Sequence, residues 1–356
     1  MGPTHDNGRP VPPEGAEARA RTGSGPTGGG LVPFGQAQAL GDFEERSRQI
    51  RGTTMCVTGG LASVVTPVLS CLIISLGAGL LGREPHGTRG LVSALVESVF
   101  AAIAGAVLLG VPQALVQSLI ACAVSCVAAY LAARRGLSAS RVVLVSVVCA
   151  AVMIGADTIV AHMSGTTVGE VLSSTFDQEA TQMLADADIE TRMVIRQTRQ
   201  IYATYWPTIY FGMAFVMLLL ARMGARRGLG LADTGGGFSS FALPRWVAFA
   251  LLVAVVANLA VTRLTLAVPS VVVDAMANVV TCARIVLAVQ GVGVAWWYLE
   301  RRGARQATKV ASGVLAALLE LSFAVMSVVG LFDVAVDFRG RAHGSASDVE
   351  GSERRD

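Results

Sequence analysis

Four ionisable side chains sit inside otherwise apolar stretches of this sequence: Glu97, Asp157, Arg284 and Glu320. A charge at the centre of a membrane helix costs about 2.5 to 3.5 kcal/mol even on insertion scales, so each must face protein, water or an opposite charge. Arg284 and Glu320 fall at matching depths of two consecutive apolar segments joined by a short basic loop, and that placement predicts that they pair. Two chemistries are open to them. As a brace, the pair locks two helices together; as a site, Arg284 anchors an anionic substrate while Glu97 and Asp157 hold a coupling cation or a proton. Asp274, Asn278 and Thr281 share one helix face with Arg284 at its edge and form a polar stripe. Asp274 lies far enough from the midplane to be read as a hydrated helix end.

Other chemistry is not indicated. The four histidines are His5, His86, His162 and His343, and there is no phosphate-cradling loop with a lysine, no paired-histidine zinc helix and no nucleophile elbow. Hydrolysis and ATP-driven steps on this chain are not expected, and the chain is read as a non-enzyme without cofactor or metal. All six cysteines fall in apolar stretches, where they act as small hydrophobes. Cys122 and Cys126 could form one metal edge, but no histidine or carboxylate nearby completes the set of four that structural zinc takes.

The elements that must position these residues are helices in a bilayer. Of 356 residues, 53% are hydrophobic and 15% charged, and mean hydropathy is +0.58; an ordinary soluble domain carries about 25% charge. The net charge of +3 gives no reason to expect a nucleic-acid partner. Of the 28 basic residues Lys309 is the single lysine, a bias that fits a GC-rich bacterial genome.

Eight apolar runs are long enough to cross a bilayer: 55–81, 91–109, 112–133, 141–163, 205–223, 244–268, 271–299 and 308–334. The fold expected is therefore an all-α polytopic bundle. It divides into a disordered Gly/Pro-rich tail over 1–52, a transmembrane domain over 53–338 and a disordered charged tail over 339–356. Trp206, Trp246, Trp296 and Trp297 mark span ends as an aromatic belt. Within the outer loop 164–200, Val168, Val171, Leu172, Phe176, Ala180, Met183 and Leu184 recur at helical spacing, and Thr167 with Glu170 fits a capping box. An amphipathic helix follows, either resting at the interface or serving as a gate. Ala121, Ser125, Ala129 and Ala133 form a small-residue stripe that lets helices approach closely.

Arginines gather in alternate connections (Arg83 and Arg89; Arg134, Arg135 and Arg141; Arg226, Arg227 and Arg245; Arg301, Arg302 and Arg305), which should be cytoplasmic in a plasma (inner) membrane protein. Eight simple spans would then put both tails outside, against Arg46, Arg48 and Arg51 before the first run. Pro67 near the middle of that run offers a way out, a broken or re-entrant pair.

Several short motifs carry a family likeness: Leu243-Pro244-Arg245-Trp246, Gln290-Gly291, Gly330-Leu331-Phe332-Asp333, Asp337-Phe338-Arg339 and, earlier, His86-Gly87-Thr88-Arg89. In these the chain resembles the YybS-like family of bacterial membrane proteins of unknown function over about residues 55–341. The resemblance implies a distant similarity to the substrate-binding membrane subunits of energy-coupling-factor transporters, and with it a small-molecule ligand and a partner ATPase. No ligand residues carry over. The rival reading is a scaffold or regulatory subunit whose inner charges only brace helices.

Overall fold

The computed structural model describes residues 34–339 except 84–86, 112–113, 135, 185–188, 232–238, 240, 264–268 and 337–338. Among the described residues every regular element is a helix: α1 (Phe34–Ser63), α2 (Pro67–Leu81), α3 (Gly87–Leu109), α4 (Leu115–Arg134), α5 (Ala139–Met163), α6 (Val168–Leu184), α7 (Ile189–Gly228), α8 (Arg245–Arg263), α9 (Ser270–Arg301), α10 (Gln306–Phe323) and α11 (Val325–Val336). Residues 1–46 and 47–356 form two units, and the apolar helices belong to the second. Helix from Phe34 corrects the expectation of an unstructured tail to residue 52. The Gly/Pro-rich composition ends at Pro33, and Ala, Gln, Leu, Glu and Arg, all good helix formers, dominate after it. Most of that tail, 1–33, lies outside the described residues, as do residues 340–356 and His86.

Five helices, α3, α4, α5, α7 and α9, are long and apolar enough to cross a bilayer, and α2 and α8 are shorter apolar helices. The eight uninterrupted spans are therefore corrected, because two runs break. The first breaks at Val64–Thr66, and α2 begins on Pro67, whose missing N–H costs nothing at a helix start. Its two halves then run antiparallel. A Cβ built on Gly77 would meet the Gly52 carbonyl at 2.7 Å and Cys56 Sγ at 2.8 Å, while one on Gly59 would meet Ile74. This is a helical hairpin. It returns the chain to the side on which Ser47, Arg48 and Arg51 start, which removes the conflict over the arginines.

The last run breaks at Ala324, where the chain takes φ 56° and α10 and α11 bend by 100°. Lys309 lies 3.8 Å from Glu300 and Glu320 bonds Arg284, so α10 runs back along α9 to mid-depth. Ser327 then sits on Arg284, Gly330 on Leu287 and Asp333 on Gln290, so α11 runs parallel to α9. The chain dips to the level of Arg284 and leaves on the side it entered, instead of crossing.

A buried core surrounds α7, with Phe211, Phe215, Met217 and Leu218 packed by α2, α4, α5 and α9. Close approach to α2 uses Gly224 and Gly228. The small-residue stripe of α4 serves the same purpose: Ser125 donates to the Cys71 carbonyl and Cys71 to the Ala121 carbonyl, with Ala129 buried and Ala133 exposed. Outside the bundle α6 forms as expected. Its capping box is closed by Thr167 N–H on Glu170 Oε2 (2.8 Å) and Glu170 N–H on Thr167 Oγ1 (3.3 Å).

Candidate functional site

A break between helices at membrane depth leaves backbone groups that lipid cannot satisfy. At Ala324 the predicted pair does this work. Arg284 Nε donates to Glu320 Oε1 (2.9 Å) and its Nη2 donates to the Glu320 carbonyl (2.7 Å), one of the last carbonyls of α10. The Glu320 carboxylate in turn accepts the Ser327 N–H (2.9 Å) and hydroxyl (2.6 Å) in the first turn of α11, as an N-cap would. Ser327 Oγ lies 3.0 Å from the Arg284 carbonyl, closing the triangle. Both charges are thus engaged with helix ends. Arg284 keeps 47% of its side chain exposed and Glu320 only 16%. Glu320→Ala, which strips three donors of their acceptor, is expected to lower the thermal midpoint in detergent more than Arg284→Ala does, since a lost acceptor costs up to about 1–3 kcal/mol where it is buried and Glu320 is the less exposed of the two.

The other carboxylates stand apart from this pair. Tyr210 Oη donates to Asp157 Oδ2, joining α7 to α5, and Trp206 meets the Tyr210 ring edge-on. Glu97 accepts from Ser93 (2.7 Å) and Thr53 (3.4 Å) through Oε1, while its Oε2 is buried and takes no hydrogen bond from the described residues. The three residues of the polar stripe have separate surroundings. Asp274 is exposed, Thr281 donates to the Ala277 carbonyl of its own helix, and Asn278 is buried against Thr204 and Thr208 of α7.

One cluster escaped the sequence reading as a site. Asp333 Oδ2 accepts from Gln290 Nε2 (2.5 Å) and Arg339 Nη2 (2.6 Å); Arg339 also donates to the carbonyls of Ser239 (2.6 Å) and Phe241 (2.9 Å), and Gln290 Oε1 accepts the Leu243 N–H (3.1 Å). All three side chains are buried. The signal was present in another form, because these residues are the ones in the motifs that carry the family likeness. The folded chain brings Leu243, Gln290, Asp333 and Arg339 to one point, and takes Arg339 out of the expected charged tail.

One opening among the described residues is apolar. Val147, Ala150 and Ile154 of α5, Pro207 and Phe211 of α7, Ala250 and Ala254 of α8, and Asn278, Cys282 and Val286 of α9 line a groove of about 480 Å³. That size lies within the roughly 300–1,000 Å³ of small-molecule sites. None of Glu97, Asp157, Arg284, Glu320 or Asp333 lines it. The polar atoms of Asn278 are spent on protein: Oδ1 accepts from Thr208 N–H and Oγ1, and Nδ2 donates to the Thr204 and Asp274 carbonyls. Asparagine has two acceptor lone pairs and two donor hydrogens, so its capacity is full.

No curated protein and no solved structure matches the chain. A family model described as "Predicted membrane protein (DUF2232)" matches residues 59–334, from the α1–α2 hairpin to the Asp333 cluster and well over half of the chain. The chain belongs to this family of membrane proteins of unknown function.

Proposed function

We propose that this membrane protein binds an apolar chain, of the kind bilayer lipids supply, in the groove between α5, α7, α8 and α9. The supporting observation is the lining: apolar side chains throughout, with Asn278 the one carboxamide and its polar atoms already engaged. A polar or charged solute would lose its hydration there without replacement, whereas a hydrocarbon chain loses nothing. The inner charges act as braces under this reading. Arg284 and Glu320 finish helix ends, and Asp157 ties α5 to α7. The protein is then a binding component and not an enzyme, set in the plasma membrane with its arginine-bearing connections in the cytoplasm. Transport driven by a partner ATPase on those connections is the larger claim, and co-purification from the native membrane tests it.

Binding itself is tested with a phospholipid carrying a diazirine in its acyl chain. After photolysis, adducts are expected on the groove residues of α5, α8 and α9, and are expected to fall at least about fivefold when Ala150→Trp or Ala254→Trp fills the space, since even about 1 kcal/mol of lost affinity is that factor. Adducts spread evenly over the groove and over Leu315 and Leu318, exposed on α10, or unchanged in the filled variants, would refute the reading.

A further inference from the structure

A proline inside a helix removes one N–H and pushes the carbonyl four residues earlier off the ladder, which makes the helix bend there most easily. In α7 that residue is Pro207. The weak point is bridged from a neighbouring helix. Asn278 of α9 lays its carboxamide against two groups that a regular helix would join to each other: Oδ1 accepts the Thr208 N–H at 3.2 Å, and Nδ2 donates to the Thr204 carbonyl at 2.8 Å. Thr208 Oγ1 adds a bond of 2.6 Å to the same Oδ1, and the second Nδ2 hydrogen goes to the Asp274 carbonyl at 2.8 Å. Asn278 is 8% exposed, so a broken bridge leaves polar groups with little access to water.

The two limbs of α7 differ on either side of this bridge. The inner limb is held: Gly224 and Gly228 lie against the α2 backbone, and Phe211, Phe215, Met217 and Leu218 are buried. Much of the outer limb, before Pro207, is exposed at Met193, Val194, Ile201 and Tyr202. It carries α6, through Phe176 against Tyr202 (5.6 Å between ring centroids) and Arg199 on Asp177 (2.8 Å). Pro207, the weak point, and Asn278, which bridges the turn beside it, also line the groove.

We propose that α7 is a hinge at Pro207, latched by the Asn278 carboxamide, through which an apolar chain in the groove sets the position of the outer limb and of α6. The coupling rests on the groove's taking such a chain; the latch does not, and the two are tested separately.

Hydrogen–deuterium exchange on the full chain in lipid nanodiscs reads the latch. Asn278→Ala is expected to speed exchange of peptides covering 200–210 by about tenfold, the scale of one lost buried hydrogen-bond pair. Pro207→Ala restores an N–H that lets α7 close its own ladder, so Pro207→Ala with Asn278→Ala is expected to exchange slowly again. Equal acceleration with and without Pro207, or no acceleration at all, overturns the latch. If Asn278→Ala does not fold, the double variant must fold, and failure of both overturns it as well. Ala254→Phe then reads the coupling by filling the groove from α8: exchange over 189–206 is expected to change while 211–228 does not. An unchanged outer limb, when the unfilled protein labels in the groove with the diazirine lipid and the filled variant does not, overturns the hinge alone, whereas absence of groove labelling in the unfilled protein condemns the groove reading.

Discussion

Arg339→Ala is expected to destabilise the protein by about 3–5 kcal/mol, the range for breaking a buried ion pair from one side. The Asp333 and Arg339 side chains are 3% and 9% exposed, and the guanidinium serves one carboxylate and two carbonyls at once. Without it Asp333 keeps Gln290 alone, and its Oδ1, already buried without a partner among the described residues, loses its nearest compensating charge. The carbonyls of Ser239 and Phe241 are orphaned in the same step, so the segment leading into α8 loosens together with α11. Arg339→Lys should rescue little, because an ammonium cannot reproduce the planar fork. Thermal unfolding followed by size-exclusion recovery in detergent gives the magnitude. Asp333→Ala combined with Arg339→Ala should cost clearly less than the sum of the two single changes; strict additivity would show that the cluster is not a unit.

Gly330→Val is expected to be nearly as damaging, at about 3 kcal/mol, the upper part of the range for overpacking. A Cβ at Gly330 would sit 2.0 Å from the Leu287 carbonyl oxygen, and one at Gly291 2.0 Å from that of Met326. Both obstacles are backbone, which cannot swing aside as a flexible side chain can. The helices α9 and α11 must separate, and separation pulls Ser327 away from Arg284 and Asp333 away from Gln290. Gly313→Val on α10 serves as the control, since its Cβ would meet nothing closer than a Trp296 ring atom at 4.0 Å. Comparable losses at the two positions, by the same unfolding assay, would remove the packing argument.

What the sequence made legible follows from how local each signal is. The Thr167–Glu170 capping box and the break before Pro67 are readable because their causes lie within a few residues of their effects. The Arg284–Glu320 pair was readable from depth alone, since apolar surroundings leave a charge few alternatives. The turn at Ala324 was not: no proline or glycine marks it, hydropathy runs straight through, and the groups that support it are side chains of Arg284 on another helix and Glu320 one turn earlier. Asn278 looked like one residue of a stripe because its partners on α7 lie 70 and 74 positions away. Arg339 falls in the charged tail by sequence because it follows the last apolar run, and only the tertiary fold gives it the carbonyls of Ser239 and Phe241. The chemistry of the groove was equally hidden, being a property of four helices and of no one segment.

The two hairpin-like pairs have a consequence for parity. The α1–α2 hairpin hands the chain back to the face it came from, and α10–α11 does the same after α9. A detour of this kind adds an even number of passages whatever its depth, so it leaves the direction of each later helix unchanged. The sense of the whole bundle is then fixed by the alternating run from α3 to α9, and the pairs at either end are free to lengthen, shorten or deepen without inverting it. Material can be added to the inside of the bundle there at no topological cost, and it is there, in α11, that Ser327 and Asp333 have been placed.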